Sequence, residues 1–186
     1  MSAETAFASQ AAFRALMEAF ARPGEIRRVN GVPAPAPLTP ATAALVTTLA
    51  DYETPVWLDA ALAQPAVIEW IRFHTGAPVT DNSMHATFVL IGGALPDFAQ
   101  FSPGSDEYPD RSATLIVQIE RFAGRPLCLQ GPGIQTTRSL AAEPLPEDFI
   151  ERLAANRELY PRGIDLVLVA GDEVAALPRS LRVTEG

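Results

Sequence analysis

The segment Arg72-Phe-His-Thr-Gly-Ala-Pro78 is the densest polar signal in the chain, and its residue types are those that grip an anion or move a proton. A guanidinium binds phosphate or carboxylate through paired N–H bonds and stays charged while doing so. An imidazole exchanges its proton near neutrality. Arg72, His74 and Thr75 leave the end of one helix together. In a functional reading they converge on an anion or a partner carboxylate, with Arg72 as clamp and His74 as acid/base. In a structural reading the two cationic residues offset the helix dipole in its last turn, and Thr75-Gly76 ends the helix. The sequence leaves both readings open.

Further candidates are scattered. The polar stretch Ser102 to Ser112 is long for a loop in a compact domain, and Asp110-Arg111-Ser112 directly precede a buried strand, where they could hold a ligand at a strand edge. Arg179 could join Arg72 and Arg111 in an arginine cluster that binds anions. Asp165 sits inside the apolar run Ile164 to Val169, where a carboxylate needs an arginine or a backbone cap. Gly131-Pro-Gly133 has two glycines of a dinucleotide loop but lacks the third, and Pro132 has no N–H to donate, so it reads as a strand-to-strand turn.

What is missing narrows the chemistry further. All fourteen basic residues are arginine. Without a lysine there is no Schiff base to pyridoxal phosphate and no phosphate-binding lysine loop. His74 and His85 are spaced unlike zinc ligands, and Cys128 is the lone cysteine, which excludes an intrachain disulfide and a multi-cysteine zinc site. Neither a metal nor a cofactor is expected. So small an inventory favours a protein that binds, orients or assembles.

The elements that must position these residues can be read from periodicity. Residues 4–21 form a helix with Phe13, Leu16, Met17 and Phe20 as its apolar stripe, stopped by Pro23-Gly24. A short strand over 25–29 enters the four-proline connector Gly31 to Pro40. Thr39-Pro40 opens a helix to about Ala50, since threonine caps and proline suits the first turn. Pro55–Leu58 reads as a buried strand, and a helix over 65–74 turns Val67, Ile68 and Ile71 inward. Strands follow at 86–91, 114–119 and 126–130, the last two read as a hairpin through Gly124. A further short strand follows the Gly131-Pro-Gly133 turn. A helix over 146–159 buries Phe149, Ile150 and Leu153. A strand over 164–169 turns at Gly171-Asp172 into 174–177 as a second hairpin. Helices alternating with strands, some of them joined tightly, predict an α/β fold with a mixed sheet.

At 186 residues the chain reads as one domain, 1–186, with an apolar fraction of 48% that is ample for one core. A net charge of −8 argues against nucleic acid. The first residues show no secretory signal, and the stretch Ala86 to Pro96 is about half of the roughly 20 residues a membrane span needs. A cytoplasmic protein that engages neither membrane nor nucleic acid is expected.

Several of these segments, taken in order, resemble one family: PhnH, a subunit of the bacterial carbon–phosphorus lyase core complex of phosphonate breakdown. The matching pieces are Phe13-Arg-x-Leu-Met…Pro23-Gly24, Leu49-x-Asp51-x-x-Thr54-Pro-Val-Trp57, Arg72-Phe-His-Thr-x-Ala-Pro78, Ala113-Thr-Leu115, Leu129-x-Gly-x-Gly-Ile134, Tyr160-Pro-x-Gly163-Ile-Asp-Leu166 and Leu177-Pro-Arg179. The resemblance implies a three-layer α/β/α fold like the large domain of pyridoxal-phosphate-dependent aminotransferases, without the cofactor site. It implies a homodimer in isolation and a core complex with PhnG-, PhnI- and PhnJ-like subunits. It also implies a shared part in making ribose 1-methylphosphonate 5-triphosphate from ATP and methylphosphonate, as a non-catalytic or accessory subunit. It transfers no catalytic residue, so Arg72, His74, Thr75, Asp110, Arg111 and Arg179 stand as candidates for substrate or anion binding on their own chemistry. Two other readings remain: a stand-alone enzyme on phosphorylated or anionic small molecules, and a dimeric binding domain with a cofactor-derived cleft.

Overall fold

The computed structural model describes residues 3–186. Its centre is a six-stranded sheet in the order β1-β8-β7-β4-β3-β2. These strands are β1 (Arg27–Arg28), β2 (Val56–Leu58), β3 (Phe88–Ile91), β4 (Thr114–Gln118), β7 (Asp165–Ala170) and β8 (Glu173–Leu177). Strands β2, β3, β4 and β7 run parallel, β8 returns antiparallel beside β7, and β1 pairs antiparallel with β8. A second, antiparallel sheet holds β5 (Arg121–Gln130) between β6 (Arg138–Glu143) and β9 (Arg182–Glu185).

The near-continuous apolar runs of β4 and β7 follow from burial on both faces. Leu115, Val117, Leu166 and Leu168 face one core, while Ile116, Val167 and Val169 face the other. Three helices cover the second face: α1 (Ala3–Ala21), α2 (Pro40–Leu49) and α3 (Pro65–Thr75). The first face is covered by the small sheet and α4 (Phe149–Glu158), through Leu127, Leu129, Leu140, Phe149 and Leu153. The expected α/β/α sandwich is therefore met on one side only, because a sheet replaces most of the second helical layer. No helix among the described residues is long and apolar enough to cross a membrane.

Two further expectations change. Strands β4 and β5 do not pair as a hairpin; the chain leaves one sheet at Gln118 and enters the other at Arg121. On α1, Leu16 is buried as expected, but Phe13 and Met17 are 47% and 40% exposed. The face turned inward is Ala12, Leu16 and Ala19, and the two small alanines let α1 lie close against α2 and β8.

Helix α2 starts as its sequence requires. Thr39 Oγ1 accepts from the Thr42 N–H at 3.4 Å, with Pro40 in the first turn. Helix α3 ends on Gly76 in the left-handed region (φ 73°), whose N–H returns to the Arg72 carbonyl.

Candidate functional site

Open α/β sheets bind their ligands outside the carboxyl ends of the parallel strands. Here that edge is filled by the chain itself. Asp59, which follows β2, is buried, and its carboxylate accepts the N–H groups of Leu62 at 3.0 Å, Gly92 at 3.1 Å and Gly93 at 2.8 Å. Converging backbone N–H groups of this kind make an anion-binding concavity. At the end of β4, the Gln118 amide accepts from the Thr39 N–H at 2.8 Å and donates to the Pro37 carbonyl at 3.2 Å, tying the proline connector across the same edge.

The amino edge holds the second polar cluster, and Arg179 is at its centre. Its Nε lies 3.2 Å from both Asp165 carboxylate oxygens, and Nη2 reaches the same carboxylate. Nη1 donates to the Pro109 carbonyl at 2.8 Å and Nη2 to Ser112 Oγ at 2.5 Å. The Arg179 backbone N–H also caps Asp165 Oδ1 at 2.8 Å. Asp165 thus has both the arginine and the backbone cap its buried setting calls for. Arg179 clamps the 102–112 loop onto β7, and its donors are taken up by the chain. Asp110 and Arg111, between the two clamped residues, are exposed, with the Arg111 guanidinium stacked 4.1 Å over the Tyr108 ring.

At the end of α3, Arg72, His74 and Thr75 do not converge. Residues two apart point to different sides of a helix. Arg72 lines a cleft of about 530 Å³ with Trp57, Thr80 and Asp81, whereas His74 lines another of about 420 Å³ with Trp70 and Thr47. Thr75 Oγ1 donates to the Ile71 carbonyl at 2.7 Å and accepts from the Ala77 N–H at 3.0 Å, so it closes the helix. Arg72, Arg111 and Arg179 therefore occupy three separate places. Other arginines do share clefts: Arg121 and Arg125 line one beside β5, and Arg14, Arg27 and Arg28 line another, where Arg27 pairs with Glu25 and Arg28 with Asp172 at 3.2 Å.

Asp59, Gln118, Trp70 and the α1–β1 arginines were missed by sequence reasoning. A signal existed for Asp59, since it follows a buried strand directly and Gly92-Gly93 follow the next one. For the others, spacing along the chain carries none.

Among the described residues no three His, Cys, Asp or Glu side chains are grouped to hold a metal ion. The fold and its polar clusters define a mixed α/β protein whose sheet edges are satisfied from within and whose candidate arginines stand apart. The chain belongs to the PhnH family: the model of that family of bacterial phosphonate metabolism proteins matches residues 2–184. It is 47% identical over 185 residues to the alpha-D-ribose 1-methylphosphonate 5-triphosphate synthase subunit PhnH of Rhizobium meliloti (strain 1021), covering 97% of this chain and 92% of the relative. It is 34% identical over 176 residues to HtxG of Stutzerimonas stutzeri, whose name ties it to the C-P lyase subunits, covering 94% of this chain and 85% of that one.

Proposed function

We propose that this chain is an accessory subunit of a carbon–phosphorus lyase complex in phosphonate catabolism, working with PhnG-, PhnI- and PhnJ-like partners in the cytoplasm. With them it takes part in forming ribose 1-methylphosphonate 5-triphosphate from ATP and methylphosphonate. The observation that carries this reading is the near-full-length match to a synthase subunit. The geometry is in keeping with an accessory role, because Asp59 at one sheet edge and Arg179 at the other are bonded to the chain itself. Residues 1–186 act as one unit in this proposal. In this proposal its sheet resembles the aminotransferase large-domain plan, a likeness with which the parallel run β2-β3-β4-β7 closed by antiparallel β8 is compatible.

Complementation tests the reading. A strain lacking its own PhnH-type gene and fed methylphosphonate as sole phosphorus source should regain growth when this chain is supplied. Failure to restore growth by well-expressed protein, together with turnover of a phosphorylated substrate by the chain alone, would replace it with the stand-alone enzyme.

A further inference from the structure

The cleft that His74 lines lies on the helical face, between α1, α2, α3 and the proline connector, and no polar cluster described above reaches it. Its volume of about 420 Å³ is that of a small-molecule pocket. Ala12, Ala44, Val32 and Pro33 give it apolar walls. One side carries an aromatic pair: the Trp70 and His74 rings lie 4.4 Å apart, tilted by 34°. Among the described residues no Asp, Glu or Arg lines it, and His74 is the one titratable side chain of that lining. The carbonyl end of α3 adds partial negative charge close by, which disfavours an anion. The pocket is thus built for an uncharged, flat molecule that stacks.

The hydroxyls set the hydrogen-bond polarity. Thr48 Oγ1 donates its proton to the Ala44 carbonyl at 2.7 Å, and Thr47 Oγ1 donates to Ala43 or Ala44 at 3.0 and 3.1 Å. With their protons committed to the helix, both oxygens offer only lone pairs to the cleft. Asn30 adds an amide with a donor and an acceptor end. A ligand must therefore bring N–H groups to α2.

We propose that this cleft binds an uncharged, planar nitrogen heterocycle of nucleobase size, stacked against Trp70 and His74, with an amino group donating to Thr47 and Thr48. The site is independent of the subunit reading and can be present whether or not that reading stands. The test uses the full chain and 2-aminopurine, whose fluorescence is quenched on stacking, with adenine as competitor. Saturable quenching that adenine reverses is expected. Thr47→Val combined with Thr48→Val keeps the side-chain shape and should weaken 2-aminopurine at least tenfold at an unchanged melting temperature. Unsubstituted purine, which lacks the amino group, should bind the wild type and this variant alike. Trp70→Leu should abolish the quenching, and calorimetry with adenine separates lost binding from lost signal. Absence of saturable binding at millimolar ligand overturns the proposal, as does binding indifferent to both variants. If the free chain binds no heterocycle but Trp70→Leu blocks co-purification with co-expressed partner subunits, the cleft is a protein docking site and the ligand proposal falls.

Discussion

An arginine's role is decided by how many of its donors the chain has already used. Arg179 has a side chain only 15% exposed, and it is bonded to Asp165, Pro109 and Ser112; Arg72 is exposed and makes no ion pair among the described residues. The two should therefore behave oppositely on truncation. Arg179→Ala leaves a mostly buried carboxylate without its partner, which costs about 3–5 kcal/mol. For a chain of this size that lowers the melting temperature by roughly 6–20 °C. Arg179→Lys should recover only part of the loss, since an ammonium cannot reproduce the planar fork that meets carboxylate, carbonyl and hydroxyl at once. Arg72→Ala should stay within about 0.5 kcal/mol of wild type, as exposed substitutions usually do. Thermal melts followed by circular dichroism compare the two directly. A large loss on Arg72→Ala would mean that Arg72 is structural.

Among the elements, the Gly131-Pro-Gly133 turn shows how a motif with no chemistry of its own becomes indispensable. It links β5 to β6, and a Cβ at Gly133 would lie 2.2 Å from the Ala21 carbonyl at the end of α1, on a backbone with φ 84°. The neighbouring Gly24 is pressed against Leu129, and Arg138 donates to the Pro23 carbonyl at 3.2 Å. Pro23-Gly24 and Gly131-x-Gly133, far apart in sequence, are thus two halves of one contact between α1 and the small sheet. Gly133→Ala should cost more than about 1 kcal/mol, since alanine is strained at positive φ and has no room here. Hydrogen exchange should show faster opening of β5, β6 and β9 than of β4 and β7, and uniform loss of protection would refute a local seam. Much of this element plan was legible in the sequence. Thr39-Pro40, Gly76 and the strand ends follow from caps and turns that act within a few residues. The β4–β5 hairpin was misread although its correction was available. Leu115–Val117 at the centre of β4 are apolar and buried in succession, as in a strand covered on both faces, whereas β5 buries Leu127 and Leu129 alternately, as a strand covered on one face does. The α1 stripe was misread because large residues were weighted over the alanines that allow close packing. The separation of Arg72 from His74 was implicit in helical geometry, but which cleft each would line depends on β2, α1 and α2, which spacing within α3 cannot convey.

At the scale of the whole molecule, the corner where α3 ends carries the largest apolar exposure: Phe73 is 85% and Tyr52 is 75% exposed, and Tyr52 lies beside Gly76. Aromatic side chains left in water at one corner are what an assembling protein covers. A homodimer in solution is expected, burying roughly 1,200–2,000 Å² in total and giving way when PhnJ-like partners take the same face. Light scattering that finds a monomer at tens of micromolar, or a core complex that retains the homodimer contact, would remove this expectation. The sheet's carboxyl edge carries a different consequence. Asp59 is in effect a tethered solute: held on the chain at very high effective concentration, it never leaves, so no free anion of ordinary abundance competes with it. Cutting the tether should turn the edge into a receptor. Asp59→Gly would leave the Leu62, Gly92 and Gly93 N–H groups aimed at a space the size of a carboxylate, and formate should then raise the variant's melting temperature in a saturable way while chloride at equal ionic strength does not. Chemical rescue of that kind would show that the chain closes the pocket by supplying its own occupant.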